Sequence, residues 1–178
     1  GSPITSYTVT AYAPDGVSIA GTCTATAPAT SCQVTGLTNG TAYTYKVVAN
    51  NVNGGSAAST ASAAVTPATV PGAPASVSAT AATATSASVT IGAATVTGGS
   101  AIIEYEIIAT PSGGGTPIRL TVPASQISSA VTISGLAPGT TYTITTLATN
   151  AVGDGATTAA ASTITTPAAP PSAPSLTS

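Results

Sequence analysis

Histidine, phenylalanine, tryptophan and methionine are absent from the 178 residues, and charged side chains make up only 3% of them. Without His, and with Lys46 as the single Lys, proton transfer near neutral pH falls to four carboxylates and the tyrosines, which argues against an enzyme. A zinc centre lacks its usual ligands, since there are just two Cys and their spacing is not Cys-x-x-Cys. No cofactor is expected. Lys46 and Arg119 are the whole cationic complement. They form no basic stripe able to displace counterions, so nucleic acid is excluded as a partner. No apolar run approaches bilayer-spanning length, so no membrane insertion is expected. No basic, apolar and small-residue leader opens the sequence, which places any export signal upstream of Gly1.

The scarcity of charge has a second consequence. A formal net charge of -2 repels almost nothing, and low net charge favours association. A Thr/Ser/Ala surface of this kind is expected to be covered by other copies of the chain or adjacent repeats, by surface glycans, or by both.

Ala and Thr each fill about a fifth of the chain, well above ordinary usage. Small side chains bury little area, at about 25 cal/mol per Å², so thin cores are expected, with six Tyr as the large anchors. Most telling is an internal repeat. Val34-Thr35-Gly36-Leu37-Thr38-Asn39-Gly40-Thr41-Ala42-Tyr43 returns 99 positions later as Ile133-Ser134-Gly135-Leu136-Ala137-Pro138-Gly139-Thr140-Thr141-Tyr142. Val70-Pro71-Gly72-Ala73-Pro74 returns as Pro170-Pro171-Ser172-Ala173-Pro174. A repeat of this length is a whole domain.

Within each copy, apolar and polar residues alternate with period two. Tyr7, Val9 and Ala11 share one face, as do Tyr43, Tyr45, Val47 and Ala49; Tyr105, Ile107 and Ala109 repeat the first pattern. Turn signals separate these runs: Pro14-Asp15-Gly16, Asn39-Gly40, Asn53-Gly54-Gly55, Gly98-Gly99 and Pro138-Gly139. Short strands with frequent turns predict an all-β sandwich. The Ala-rich stretches 57–64 and 156–162 have helical propensity. No apolar stripe of helical period appears in them, and the repeat places them in the last strand.

Three motifs, in register and present twice, resemble tandem fibronectin type III modules of bacterial extracellular proteins. Leu37-x-x-Gly40-Thr41-x-Tyr43 and Leu136-x-x-Gly139-Thr140-x-Tyr142 are similar to that family's turn into strand F. Ser2 to Val9 and Ser100 to Ile107 are similar to its strand C. Ala49 to Gly54 and Ala148 to Gly153 are similar to the end of strand F and its loop to strand G. The resemblance implies tandem immunoglobulin-like sandwiches, with Tyr43 and Tyr142 as structural tyrosine corners. It implies a partial first module over 1–66 (strands C to G, lacking A and B), a proline-rich linker over 67–74, a complete module over 75–167, and a linker with the A strand of a following module over 168–178. Two departures predict a weaker module: Ile91 stands where the family usually has Trp, and Thr146 replaces the inward Val47 of the first copy while Leu147 points outward. The gap left by strands A and B is filled either by upstream residues of a longer chain or by another subunit's tail. The first is the simpler reading, since the tail supplies an A strand but no B strand.

Other candidate residues carry structural readings. Cys23 and Cys32 are expected to form a disulfide closing a short hairpin, which points to an oxidising, extracellular location. A gapless count back from strand E makes Val122 and Val131 their counterparts. Glu104 and Glu106 share the outward face of one strand, where a glycosidase or calcium pair is conceivable and a solvated face is the ordinary explanation. Asn39-Gly40-Thr41 fits a glycosylation acceptor, although turn chemistry accounts for the same residues. The F–G loops contain no Arg-Gly-Asp. The two proline-rich junctions favour semi-rigid spacing. The function expected is therefore a structural repeat of an extracellular filament, sheath or adhesin stalk. The alternatives are an accessory spacer of a secreted polysaccharide-degrading enzyme and a carbohydrate- or receptor-binding module.

Overall fold

The computed structural model describes residues 1–171. The chain divides into two compact units, Gly1–Thr69 and Val70–Ser178. The A strand expected at the carboxyl end lies outside the described residues.

Unit 1 is one antiparallel sheet of four strands: β1 (Ser6–Tyr12), β2 (Ile19–Thr26), β3 (Thr44–Asn51) and β4 (Gly54–Gly55), in the order β2-β1-β3-β4. The alternation of Tyr, Thr and Val in β1 and β3 suits a pleated surface. The turn joining β1 to β2 is organised by Asp15. Its carboxylate accepts hydrogen bonds from the Ser18 hydroxyl and from the amides of Val17 and Ser18. These bonds, led by the Ser18 hydroxyl, hold the Asp15 carboxyl below its ordinary range.

Past β4 the chain runs back along β3 in an unusual way. Ser56, Ser59 and Ser62, three residues apart, meet Ala49, Val47 and Tyr45, two residues apart. Each serine amide donates to the facing carbonyl at 2.9 Å. Each serine Oγ accepts the amide of that same facing residue at 3.0 to 3.1 Å. The hydroxyl thus stands in for the carbonyl that a regular strand would offer. Residues 57–64 are accordingly a serine-laddered strip and not the regular last strand that the repeat predicts; a single bridge, Tyr43 with Val65, closes it.

Unit 2 is a two-sheet sandwich. One sheet is β5 (Pro74–Thr83), β6 (Ser86–Ala94) and β9 (Val131–Ser134), in the order β5-β6-β9. The other is built on β7 (Ile102–Pro111), β8 (Ile118–Pro123) and β10 (Thr141–Asn150), with β11 (Gly153–Asp154) and β12 (Ser162–Thr165) on the far side of β10. Between the sheets lie Val89, Ile91, Tyr105, Ile107, Ile133 and Ile144, all buried. Ile91, at 5% exposure, is fully part of this core. The sheets are sewn at one edge by the Ala79 amide, which donates to Ser162 Oγ at 3.0 Å. Leu147, opposite Glu106, lies outside the core cluster yet is only 9% exposed.

Register corrects two sequence expectations. Val122 pairs with Tyr105 as Ala25 pairs with Tyr7, and Leu120 pairs with Ile107 as Cys23 pairs with Val9. The counterpart of Cys23 is therefore Leu120, not Val122. The gapless count fails because unit 2 carries two more residues after this strand pair, a stretch holding the 3-10 turn Ala124–Gln126. The second correction concerns strand E. In unit 2 it exists as β9, paired with β6. Its counterpart in unit 1, residues 32–35, adopts no strand, because no partner in the place of β6 is found among residues 1–69.

Thr146 is a flaw in the unit 2 core. It is 0% exposed, and its Oγ1 has no hydrogen-bond partner among the described residues. A buried hydroxyl left unpaired costs about 1–3 kcal/mol. Thr146→Val, which keeps the shape and removes the hydroxyl, is expected to stabilise unit 2 by roughly 1 kcal/mol. Equilibrium urea denaturation would detect this as a raised midpoint; a lowered one would contradict it.

Candidate functional site

The repeated motif ends in a tyrosine whose ring is buried and whose hydroxyl binds back to the chain. Tyr43 Oη accepts the Thr38 amide at 3.0 Å, and Tyr142 Oη accepts the Ala137 amide at 2.8 Å. The Thr38 bond holds the Tyr43 phenol below its ordinary pKa, because it favours the phenolate. Gly40 and Gly139 make the turns possible at φ 80° and 63°, a region costly for other residues. Their amides donate to the carbonyls of Pro67 at 2.9 Å and Pro167 at 3.0 Å. Each corner therefore also anchors the proline-rich segment that follows its own unit. Asn39 lies exposed in the first of these turns, and its side-chain amide donates to Thr69 Oγ1 at 3.2 Å.

Cys23 and Cys32 are joined by a disulfide across a separation of 9 residues, with Cα atoms 5.9 Å apart. Cys23 lies in β2 opposite Val9; Cys32 lies in the extended segment that adopts no strand. The bond ties that segment to the sheet in place of a strand ladder.

The few charges are dispersed. Arg119 pairs with Glu106 at 2.6 Å. Asp154 Oδ1 accepts the Thr149 hydroxyl at 2.7 Å, and Lys46 Nζ lies 5.1 Å from the centre of the Tyr12 ring. Glu106 is engaged by a cation, so Glu104 and Glu106 do not form a free carboxylate pair. Among the described residues no group of three or more His, Cys, Asp or Glu is placed to hold a metal ion, and no helix is long and apolar enough to cross a membrane. An open cleft of about 400 Å³ is lined by Ile4, Asn50, Asn51 and Asn53. The Asn side chains are spent internally: Asn51 Oδ1 accepts the Asn53 amide at 2.8 Å, and Asn53 Nδ2 donates to Ser2 Oγ at 3.0 Å.

Two all-β units with matching tyrosine corners, the second a two-sheet sandwich, agree with the comparisons to known proteins. The model of the fibronectin type III domain matches residues 1–65 and 72–164. The chain belongs to the fibronectin type III family. Among solved structures it is similar to a two-domain fibronectin type III segment of chicken tenascin, at 23% identity and TM-score 0.51, over 93% of this chain and 86% of that one. It is also similar to the FN1–FN3 domains of chicken CNTN1, at 21% identity and TM-score 0.52, over 91% of this chain and 55% of that one. The FN5 domain of Drosophila Lar matches at 30% identity and TM-score 0.47, over 56% of this chain and all of that one. No curated protein matches the chain. Fibronectin type III membership indicates a structural or spacer module.

The fibronectin type III fold brings forward residues that the sequence pattern did not single out. Asn51 Oδ1 and Asn150 Oδ1 cap the turns between β3 and β4 and between β10 and β11, accepting the amides of Asn53 at 2.8 Å and Val152 at 2.9 Å. At the tips sit Val52, 80% exposed, and Val152, 52% exposed. An apolar side chain at the same loop tip of both units is a surface feature. The available signal was a Val inside an Asn/Gly turn, where a polar residue is usual.

Proposed function

We propose that the chain is a structural repeat of an extracellular filament, sheath or adhesin stalk, of bacterial type, acting as a semi-rigid spacer whose uncharged surfaces associate with other copies or adjacent repeats. The supporting observation is how each unit holds its own end of the proline-rich junction. In unit 1, Pro67 and Thr69 are hydrogen-bonded to the corner turn. In unit 2, Pro71 is buried and the Gly72 amide donates to Val96 at 2.8 Å. Little of the junction is left free to act as a flexible tether. The disulfide supports an oxidising, extracellular setting. The sparse and mostly engaged charges support a role without catalysis.

Exposed Val52 and Val152 on a nearly uncharged surface supply the contacts for association. Light scattering of the purified chain at neutral pH is expected to show concentration-dependent assembly, and the Val52→Asp, Val152→Asp double variant is expected to shift it toward monomer. Monodisperse wild-type monomers across the accessible concentration range would overturn the association half of the reading.

A further inference from the structure

Hydrogen bonding across the sheet of unit 1 decides which backbone groups are left at its rim. Neighbouring residues of a strand turn their amides and carbonyls to opposite sides. Those of Val47 and Ala49 are taken by the serine strip, so those of Val48 turn to Thr8 on β1. By the same alternation, Val9 bonds to Cys23 on β2. Thr22 and Thr24 therefore turn theirs to the far side of β2, which ends the order β2-β1-β3-β4. Among the described residues nothing meets them there, and both side chains are exposed. Further along this rim, the Thr26 carbonyl accepts the Ala29 amide at 2.9 Å.

Such an edge is usually guarded by a charge, a proline or a bulge. The matching edge of unit 2, β8, carries Arg119 and closes on Pro123. With Leu120 the counterpart of Cys23, Arg119 stands where unit 1 has Thr22. β2 holds neither a charge nor a proline, and its register shift, at Ala20, stops short of Thr22. The sequence there also reads alike in both directions. Gly21-Thr22-Cys23-Thr24-Ala25 has Cys23 at its centre, a Thr on either side and a small residue beyond each. An antiparallel partner of the same sequence sets Thr against Thr and Gly21 against Ala25. Identical chains meeting across a two-fold axis require this self-complementarity, and facing Thr pairs stabilise a sheet. The Cys23–Cys32 bond does not obstruct the edge, since Cys23 shares the Val9 face and the threonines point to the other.

We propose that β2 of unit 1 pairs edge to edge with β2 of a second copy of the chain, antiparallel about a two-fold axis at Cys23. Thr22 of each copy exchanges both amide–carbonyl bonds with Thr24 of the other, and the two sheets become one. A second copy is the occupant because the edge is uncharged and matches its own reversal. The proposal rests on the association half of the spacer reading and deepens it, naming a strand separate from Val52 and Val152.

The full chain carrying Val52→Asp and Val152→Asp tests it without the loop-tip contacts, and its assembly is expected to stop at the dimer in sedimentation. Raising its concentration is expected to slow exchange of the Thr22 and Thr24 amides about tenfold or more, with β7 amides unchanged. Adding Thr22→Lys and Thr24→Lys sets like charges face to face, and this variant is expected to stay monomeric, as is its Thr22→Glu, Thr24→Glu equivalent. Mixed in equal amounts, the two are expected to dimerise, because each Lys then faces a Glu. Protection of β1 and β3 is expected to match the parent in each variant, so that loss of the dimer is not loss of the fold. Thr22 and Thr24 amides indifferent to concentration would overturn the proposal. If the wild-type chain still associates in that case, the spacer reading stands on other contacts; if it does not, the association half fails as well. Dimers of the Lys variant alone, or none in the mixture, would also overturn the proposal.

Discussion

Breaking the Cys23–Cys32 bond is expected to unfold unit 1 and leave unit 2 folded. Among the described residues, the buried apolar side chains of unit 1 are Ala11, Ala25 and Tyr43. A domain that buries so little is marginal. The disulfide closes a loop with a separation of 9 residues, which on the loop-entropy account contributes about 2.5–3 kcal/mol. That is a large share of any domain's net stability, about 5–15 kcal/mol. The bond also holds residue 32 beside β2, where no ladder does. Amide exchange on the full chain, with and without reductant, would resolve the two units separately. Protection of β1 to β3 is expected to collapse on reduction, and protection of β7 and β10 to persist. A Cys23→Ser, Cys32→Ser variant with exchange like the oxidised protein would show that the sheet of unit 1 stands without its staple.

The second large effect compares one position in two settings. Ile107 and Val9 occupy the same place in β7 and β1, facing Thr146 and Val47. Ile107 is 0% exposed and packed on both sides. Ile107→Ala is expected to destabilise unit 2 by about 2–5 kcal/mol, from lost transfer energy and the cavity left behind. Val9 is only half-buried. Val9→Ala is expected to cost unit 1 roughly 1 kcal/mol or less, because little area returns to water and the open side leaves no closed cavity. Chemical denaturation followed by unit-specific amide exchange would measure both. Equal losses would mean that Val9 is covered in solution as fully as Ile107.

Together these expectations describe units of unequal robustness under one motif set. The serine ladder shows how small residues compensate. Ser56, Ser59 and Ser62 hold the chain to β3 through paired amide and hydroxyl bonds, and need no apolar burial to do it. With Ala and Thr supplying so much of the chain, hydrogen bonding of this kind carries work that larger side chains do elsewhere.

Much of the fold was legible beforehand, for a local reason. Alternation over Tyr7 to Ala11 or Tyr105 to Ala109 depends only on neighbours in sequence, and the turn residues act through their own stereochemistry. The internal repeat supplied the rest, since two copies of one motif set require two units of one kind. The counterpart of Cys23 was not legible, because a count along the chain cannot see the two-residue difference that Ala124–Gln126 accommodates. Nor were the exposed Val52 and Val152, because a single apolar residue in a turn reads as noise until its neighbours are placed.

Sequence alone determined the all-β class, the two-unit organisation and the poverty of catalytic groups, since each follows from composition, period or repetition; the fibronectin type III assignment came from the resemblance of the repeated motifs and from the family match. Tertiary structure decided register, which hydroxyls replace carbonyls along β3, and which face is buried. Those depend on the strand that lies alongside. Residues 32–35 and β9 show it plainly: near-identical motifs follow them, and only the copy with β6 beside it becomes a strand.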